Sequence, residues 1–446
     1  MKILRENHNR TILRRALNRL SETANRLKPY TPLLLAPLAP LGMVYMVAAP
    51  EIKEQDAKLL TASSHREIDE VLEVYRSNTA AESVKNRIIL AQRLRGLYWL
   101  KDRLMRGEEL PASIAIPDLH AQAAALARIM IELDKFPGER IFMGDYFDRR
   151  AGNLQVFERL RSEKNILWGN HEIFLLFTLK GDVQAFADWL ANGGMPFLQE
   201  CGMDCSDLAR QYGKWVMSLP EKECSPKKVW EKVFATNIPL VNRTLDKVMR
   251  NPDLKHIFDW LVESGRLYHL DEQGMLYIHG GAPLVEADPE IFARLDAWGA
   301  EAKRMLSLKR SSRTDLRRIK FNLSRFLEVR DDQIMFPLLI KGNEAIRSYL
   351  KKMGIMGIVY AHSYREQVQM FNRRIFAIDL GMASYEQGSF LAIGPQGAIS
   401  FKEGNAGQFS ERQLLSSADW KEIQKGEIDF LIESVKNYFA FKFPPT

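Results

Sequence analysis

Five short apolar runs, each closed by glycine or polar residues, punctuate the middle of the chain at 113–116, 140–143, 165–168, 275–278 and 358–361. Runs of this length with such ends predict buried strands. The first two lead into helical segments: 121–133, rich in Ala, Leu and Ile, and 154–160, which is amphipathic. Strand then helix, repeated, predicts an α/β core whose ligands gather at the carboxyl ends of the strands. Later the pattern turns antiparallel. Residues 367–371 and 374–378 flank Asn372-Arg373, and 389–393 and 398–401 flank a Gly-Pro-Gln-Gly turn. Helical patterning fills 51–110, ending in a Gly- and Pro-containing boundary at 107–111. It also covers 343–353 and most of 174–261, where Trp189, Trp215, Trp230 and Trp260 serve as packing anchors. A polar and then helical tail occupies 403–446.

The polar blocks that close the strands carry the chemistry. They read Pro117-Asp118-Leu119-His120, Gly144-Asp145-Tyr146-Phe147-Asp148-Arg149, Gly169-Asn170-His171-Glu172, His279-Gly280-Gly281 and Ala361-His362-Ser363. Only eight histidines occur in the chain, and four of them (His120, His171, His279, His362) stand here. Carboxylate, imidazole and amide groups converging from several strand ends are what two adjacent cations need, with one carboxylate shared. The order and residue types suit a two-metal phosphoester hydrolase. Any one block alone would pass for a turn or a helix cap; the run of them in order does not.

These blocks resemble the motifs of the calcineurin-like metallophosphoesterases, in particular the phosphoprotein-phosphatase branch and its bacterial members. The resemblance covers about 113–401 and includes two further stretches, Ile378-Asp379-Leu380-Gly381 and Trp189-Leu190-Ala191-Asn192-Gly193-Gly194. It implies an αββα sandwich with the site at one sheet edge. It also implies roles: Asp118 and His120 on a first metal, Asp145 bridging, and Asn170, His279 and His362 on a second. A water shared by two cations ionises far below its bulk pKa and becomes the nucleophile. His171 would protonate the leaving oxygen, Asp148 would fix its tautomer, and Arg149 would grip two phosphoryl oxygens. A second phosphate cation is expected ahead of a helix; Lys341 matches best, with Arg330 as the fallback. The mixed oxygen and nitrogen ligands favour Mn, Fe or Zn over Ca, with Mn the first choice in vitro.

The chain departs from the family pattern in places that spare every ligand. Pro117 and Ala121 stand where glycines flank the first motif, Arg150 where glycine follows the arginine, and Ala361 and Ser363 around His362. The first loop must therefore turn without glycine's freedom at positive φ.

Composition adds location to this picture. The net charge of +7 is concentrated, with +6 in residues 1–28 and +8 in 303–330, so the rest of the chain sums to −7. The second basic segment is expected either to be a solvated helical face or to border the site and draw in acidic or phosphorylated substrates. No recognition motif points to nucleic acid. Cys201, Cys205 and Cys224 are odd in number and lack CxxC spacing, which argues for reduced thiols in a cytoplasmic, soluble protein. Residues 1–50 combine a basic amphipathic helix with an uncharged, Pro-interrupted stretch. They read as a strap packed on the catalytic domain, with a membrane anchor or peripheral membrane contact as the alternative; in a secreted bacterial effector the tail at 403–446 would carry the export signal.

The expected organisation is therefore 1–50, a helical region at 51–110, a catalytic domain at 111–402 with a helical insertion at 174–262, and a tail at 403–446. The expected activity is metal-dependent hydrolysis of phosphoprotein. A compact dinucleoside-polyphosphate hydrolase, and a non-catalytic module that binds phosphorylated ligands, are the competing readings.

Overall fold

A computed structural model of the protein describes residues 50–77, 82–280, 290–308, 312–328, 342–382, 387–405 and 407–443. The expected helix and strap of 1–50, Gly281, Arg330 and Lys341 lie outside the described residues, Pro50 excepted.

Two sheets form the centre. In the first, β1 (Ala112–Ile116), β2 (Gly138–Phe142), β3 (Asn165–Leu167) and β4 (Gly265–Arg266) run parallel. On the other side of β1 follow β10 (Ser389–Gly394), β11 (Gly397–Glu403) and β12 (Phe409–Leu415), all antiparallel. The second sheet has the order β5-β6-β7-β9-β8. Its strands β6 (Met275–Ile278), β7 (Gly357–Tyr360) and β9 (Ile375–Ala377) are parallel, while β5 (Tyr268–Leu270) and β8 (Gln369–Phe371) pair antiparallel at its edges. The expected hairpin at Asn372-Arg373 is present, with both residues at positive φ (48° and 57°), as a two-residue turn demands.

Strand alternation divides the core. Ala115, Ile141, Leu167, Leu391 and Ile393 share one cluster with Met275, Tyr277, Val359 and Phe376 of the second sheet. Their alternate neighbours Ile114, Ile116, Phe142 and Ile166 pack with Leu126, Ile129 and Leu133 of the helix Ala123–Leu133. A mixed α/β sandwich results.

Helices cover its flanks. Pro50–Thr61, His65–Ser77 and Glu82–Met105 pack with the long helix Ser417–Lys442, burying Leu59, Leu72, Leu94, Ile432 and Phe439 in a common core. Asp56 ties this region together, accepting from Arg87 Nε at 2.8 Å and from the Tyr75 hydroxyl at 2.6 Å. Between β3 and β4 the chain is helical apart from short turns. Within that stretch, burial pushes the thiols of Cys201 and Cys205 up to about 12 and about 11, so neither is a thiolate at neutral pH. In the tail, β12 occupies the polar part and precedes the helix. Its middle residues, Ser-Glu-Arg-Gln, are exposed and polar, as suits an edge strand, and give no strand pattern in the sequence.

Candidate metal centre and acid–base pair

Five strands end at the same place. Asp118 follows β1, Asp145 follows β2, Asn170 follows β3, His279 follows β6 and His362 follows β7. The turns that bring them together are tight. A Cβ on Gly169 would lie 2.2 Å from Asp145 Oδ1, and one on Gly144 (φ 96°) would lie 2.6 Å from Gly169 N and 2.9 Å from His279 Nδ1. His120, Ala121, Asp145, Asp148, Arg149 and His362 all sit at positive φ, between 43° and 77°. Apart from the hairpin turn at Asn372-Arg373, positive φ among the described non-glycine residues is confined to the loops that carry the polar blocks. Ala121, at 61°, occupies a conformation that glycine would adopt freely; Arg150 is not at positive φ and needs no glycine.

Asp145 is the common member of two donor groups. With His120 and His171 it forms one, and with His279 and His362 the other; the donor atoms in each lie within 4.8 Å of one another. Asp118 adjoins the first group, its Oδ2 3.9 Å from His120 Nε2, and its Oδ1 accepts the His362 backbone N–H at 3.2 Å. Ring orientation is set from behind. His120 donates from Nδ1 to the Phe147 carbonyl at 3.2 Å, and His279 from Nδ1 to the Met143 carbonyl at 2.8 Å, leaving each Nε2 as a lone-pair donor facing inward.

The second group tests whether a cation fits. His279 Nε2 lies 3.1 Å from Asn170 Oδ1, 3.2 Å from His362 Nδ1 and 3.4 Å from Asp145 Oδ1. If the Asn170 amide were turned over, its NH2 would reach the same acceptors at 3.1 to 3.3 Å. Lone pairs this close repel one another unless a cation stands among them. The donor set, with its mixture of carboxylate, amide and imidazole, suits a divalent transition metal.

Electrostatics separate the histidines by task. Burial holds His120 well below the ordinary imidazole value and also lowers His279, so both are neutral, the form that ligates a metal. Burial also works against a proton on His171, but Asp145 and Asp148 outweigh it and raise its pKa. His171 Nδ1 lies 2.8 Å from Asp148 Oδ2, and its Nε2 lies 3.8 Å from Asp145 Oδ2. Burial opposes ionisation of Asp145, yet the four imidazoles, His279 foremost, hold its carboxyl far below the usual range. Asp118 is pushed the other way, by burial first and then by the nearby carboxylates of Asp379 and Asp145.

Three supporting residues were not assigned roles from the sequence. Trp189, expected as a packing anchor, donates from Nε1 to Asp148 Oδ1 at 2.7 Å. Glu172 accepts the backbone N–H groups of Asp145, Tyr146 and Gly169 at 2.8 to 2.9 Å, and burial followed by the Asp145 charge raises it to about 8. Asp379, raised by burial to about 6, adds a third buried carboxylate beside Asp118. The stretch 189–194 was the available signal, because it wraps the Asp148-Arg149 turn: Arg149 N donates to Gly193 O at 2.8 Å. Arg149 itself is exposed, and its charge acts on Asp118, His120 and His171.

Residues 114–365 match the calcineurin-like phosphoesterase family. The chain belongs to that family. It is therefore a phosphoesterase, whose family centre is a pair of divalent metal ions. No characterised protein sequence matches it. Among solved structures, this phosphoesterase is similar to a cold-active protein tyrosine phosphatase, with a TM-score of 0.42 and 16% identity over 70% of this chain and 80% of that one. It is also similar to a protein serine/threonine phosphatase from Saccharomyces cerevisiae, with a TM-score of 0.29 and 12% identity over 72% and 89% of the two chains. Likenesses this distant say nothing about substrate. Among the described residues, no helix is long and apolar enough to cross a membrane.

Proposed function

We propose that this phosphoesterase is a protein phosphatase of the phosphoprotein-phosphatase branch, of bacterial type, hydrolysing phosphoserine, phosphothreonine or phosphotyrosine. The observation that carries the reading is the contrast among imidazoles around one carboxylate: His120 and His279 are held below the ordinary imidazole value, whereas His171 is held above it and paired with Asp148. Such a division separates ligands from a general acid. Asp118, His120 and Asp145 would hold one metal ion, and Asp145, Asn170, His279 and His362 the other, with Mn serving in vitro and Fe or Zn as alternatives. When bound, the two ions supply acidification of a shared water and neutralise charge on the phosphoryl group.

The chain's own residues do the rest. His171 gives its Nε2 proton to the leaving oxygen while Asp148 keeps Nδ1 as a donor, so the ring holds its orientation through the transfer. Arg149 binds two phosphoryl oxygens, and Lys341 supplies a second, single-point cation. A catalytic domain at 111–402 would carry this machinery, with the helical regions at 51–110, 174–262 and 403–446 around it. That bulk supports a macromolecular substrate over a dinucleotide.

The test is turnover of a small aryl phosphate with added divalent metal, beside phosphoserine, phosphothreonine and phosphotyrosine peptides and diadenosine tetraphosphate. Metal-dependent turnover with at least one phosphopeptide preferred over the dinucleotide is expected. Full turnover in excess chelator, or preference for the dinucleotide, would overturn the reading.

A further inference from the structure

The basic segment reaches the active centre. Helix Arg313–Leu327 is anchored by the buried side chains of Leu316, Ile319, Leu323, Phe326 and Leu327. Lys320 reinforces the anchor, 3.2 Å from Asp188, the neighbour of Trp189. The helix ends on the site itself. A Cβ on Gly280 would lie 2.3 Å from the Leu327 carbonyl oxygen, and Gly280 directly follows the candidate ligand His279.

Its outer face differs from an ordinary solvated helix. Arg317, Phe321 and Arg325 recur at four-residue steps and are all exposed, Phe321 by 62%. The Arg325 guanidinium lies 5.8 Å from the Phe321 ring centroid. The neighbouring Arg318 is engaged by Glu301 at 2.6 Å. Among the described residues, Arg317 and Arg325 have no carboxylate within ion-pair distance. An aromatic ring between two uncompensated cations is a surface set to receive something of opposite charge.

We propose that the Arg317–Phe321–Arg325 stripe docks an acidic segment of the phosphoprotein substrate, an inference that rests on the protein-substrate reading above. The spacing supports it. Four helical residues rise about 6 Å, which is close to the roughly 6.6 Å between alternate side chains of an extended peptide. Arg317 and Arg325 lie eight helical residues apart, about 12 Å, close to the roughly 13 Å spanned by four extended residues, so carboxylates four residues apart can meet both cations while the side chain midway packs on Phe321. A nucleic acid fits less well, because its affinity grows with the number of phosphates neutralised and the stripe offers two cations.

The experiment compares kcat/KM for two phosphopeptides with the same phospho-residue, one with acidic flanks and one with neutral flanks. Each is normalised to the same protein's turnover of a small aryl phosphate. In the wild type, acidic flanks should raise kcat/KM about tenfold at low salt, and the ratio should shrink toward one near 300 mM salt. In R317E/R325E the ratio should fall to one or below. R317Q/R325Q should give an intermediate ratio and guards against misfolding of the reversal variant. F321A should lower the ratio without changing its salt dependence. An equal preference for both peptides in the wild type, or a ratio that survives in both double variants, would overturn the proposal. So would an RNA oligonucleotide that competes better than the acidic peptide. Turnover of aryl phosphate with no turnover of either peptide would remove the protein-substrate reading, and this proposal with it.

Discussion

The indole of Trp189 donates a hydrogen bond to Asp148 Oδ1 at 2.7 Å, while the other oxygen of that carboxylate faces His171 Nδ1. Asp148 is fully buried, and burial raises its pKa; the bonds from His171 and Trp189 both act to lower it. Removing the indole N–H should therefore favour the neutral form of Asp148 and shift its titration to higher pH. Trp189→Phe is expected to lower kcat about tenfold and to move the acid limb of the pH–rate profile upward, with metal content unchanged. The profile with a small aryl phosphate is the check. An unshifted limb with full kcat would limit Trp189 to packing.

Ala121 offers a stability prediction. Its φ of 61° places an L-residue where glycine is usual, at a cost of about 1–2 kcal/mol. Part of the gain from Ala121→Gly is lost to the freer unfolded chain, about 0.4–1 kcal/mol. The variant should be more stable by about 0.5–1 kcal/mol in denaturant unfolding. A destabilised variant would mean that the buried methyl group contributes more than the strain costs.

The strand ends and the polar blocks that follow them were legible because each joins an apolar run to a cluster of Gly, Asp, Asn or His. Asp118, Asp145, Asn170, His279 and His362 emerge from five strands at one place, as the pattern predicts. The helix Asn343–Met353 and the hairpin turn at Asn372-Arg373 were also legible, the first from its periodicity and the second from its turn residues. Other features leave no local pattern. Strand β12 is a polar edge strand, so its residues alternate without an apolar face. Trp189 reads as a core residue until Asp148, distant in sequence, is found at its N–H. The basic helix could be read as solvated or as a site wall, and only the contact of Leu327 with Gly280 brings it to the centre.

Lys341 tests the second phosphate cation. Lys341→Ala should reduce kcat/KM about ten- to a hundredfold without emptying the metal site, since a lost contact to a charged group is worth about 1.5–3 kcal/mol. Lys341→Arg should keep or raise activity, because a guanidinium can grip two oxygens at once. A silent alanine variant beside a crippled Arg330→Ala would move the role to Arg330.

Metal content in two single variants tests the central claim most directly. Asp145 belongs to both donor groups, whereas His171 is paired through Nδ1 with Asp148, which raises its pKa. Elemental analysis of Asp145→Asn should show loss of bound metal. His171→Ala should retain it while turnover falls about 10²- to 10⁴-fold. Metal lost from the His171 variant and kept in the Asp145 variant would contradict the account, making His171 a ligand and leaving the bridge unassigned.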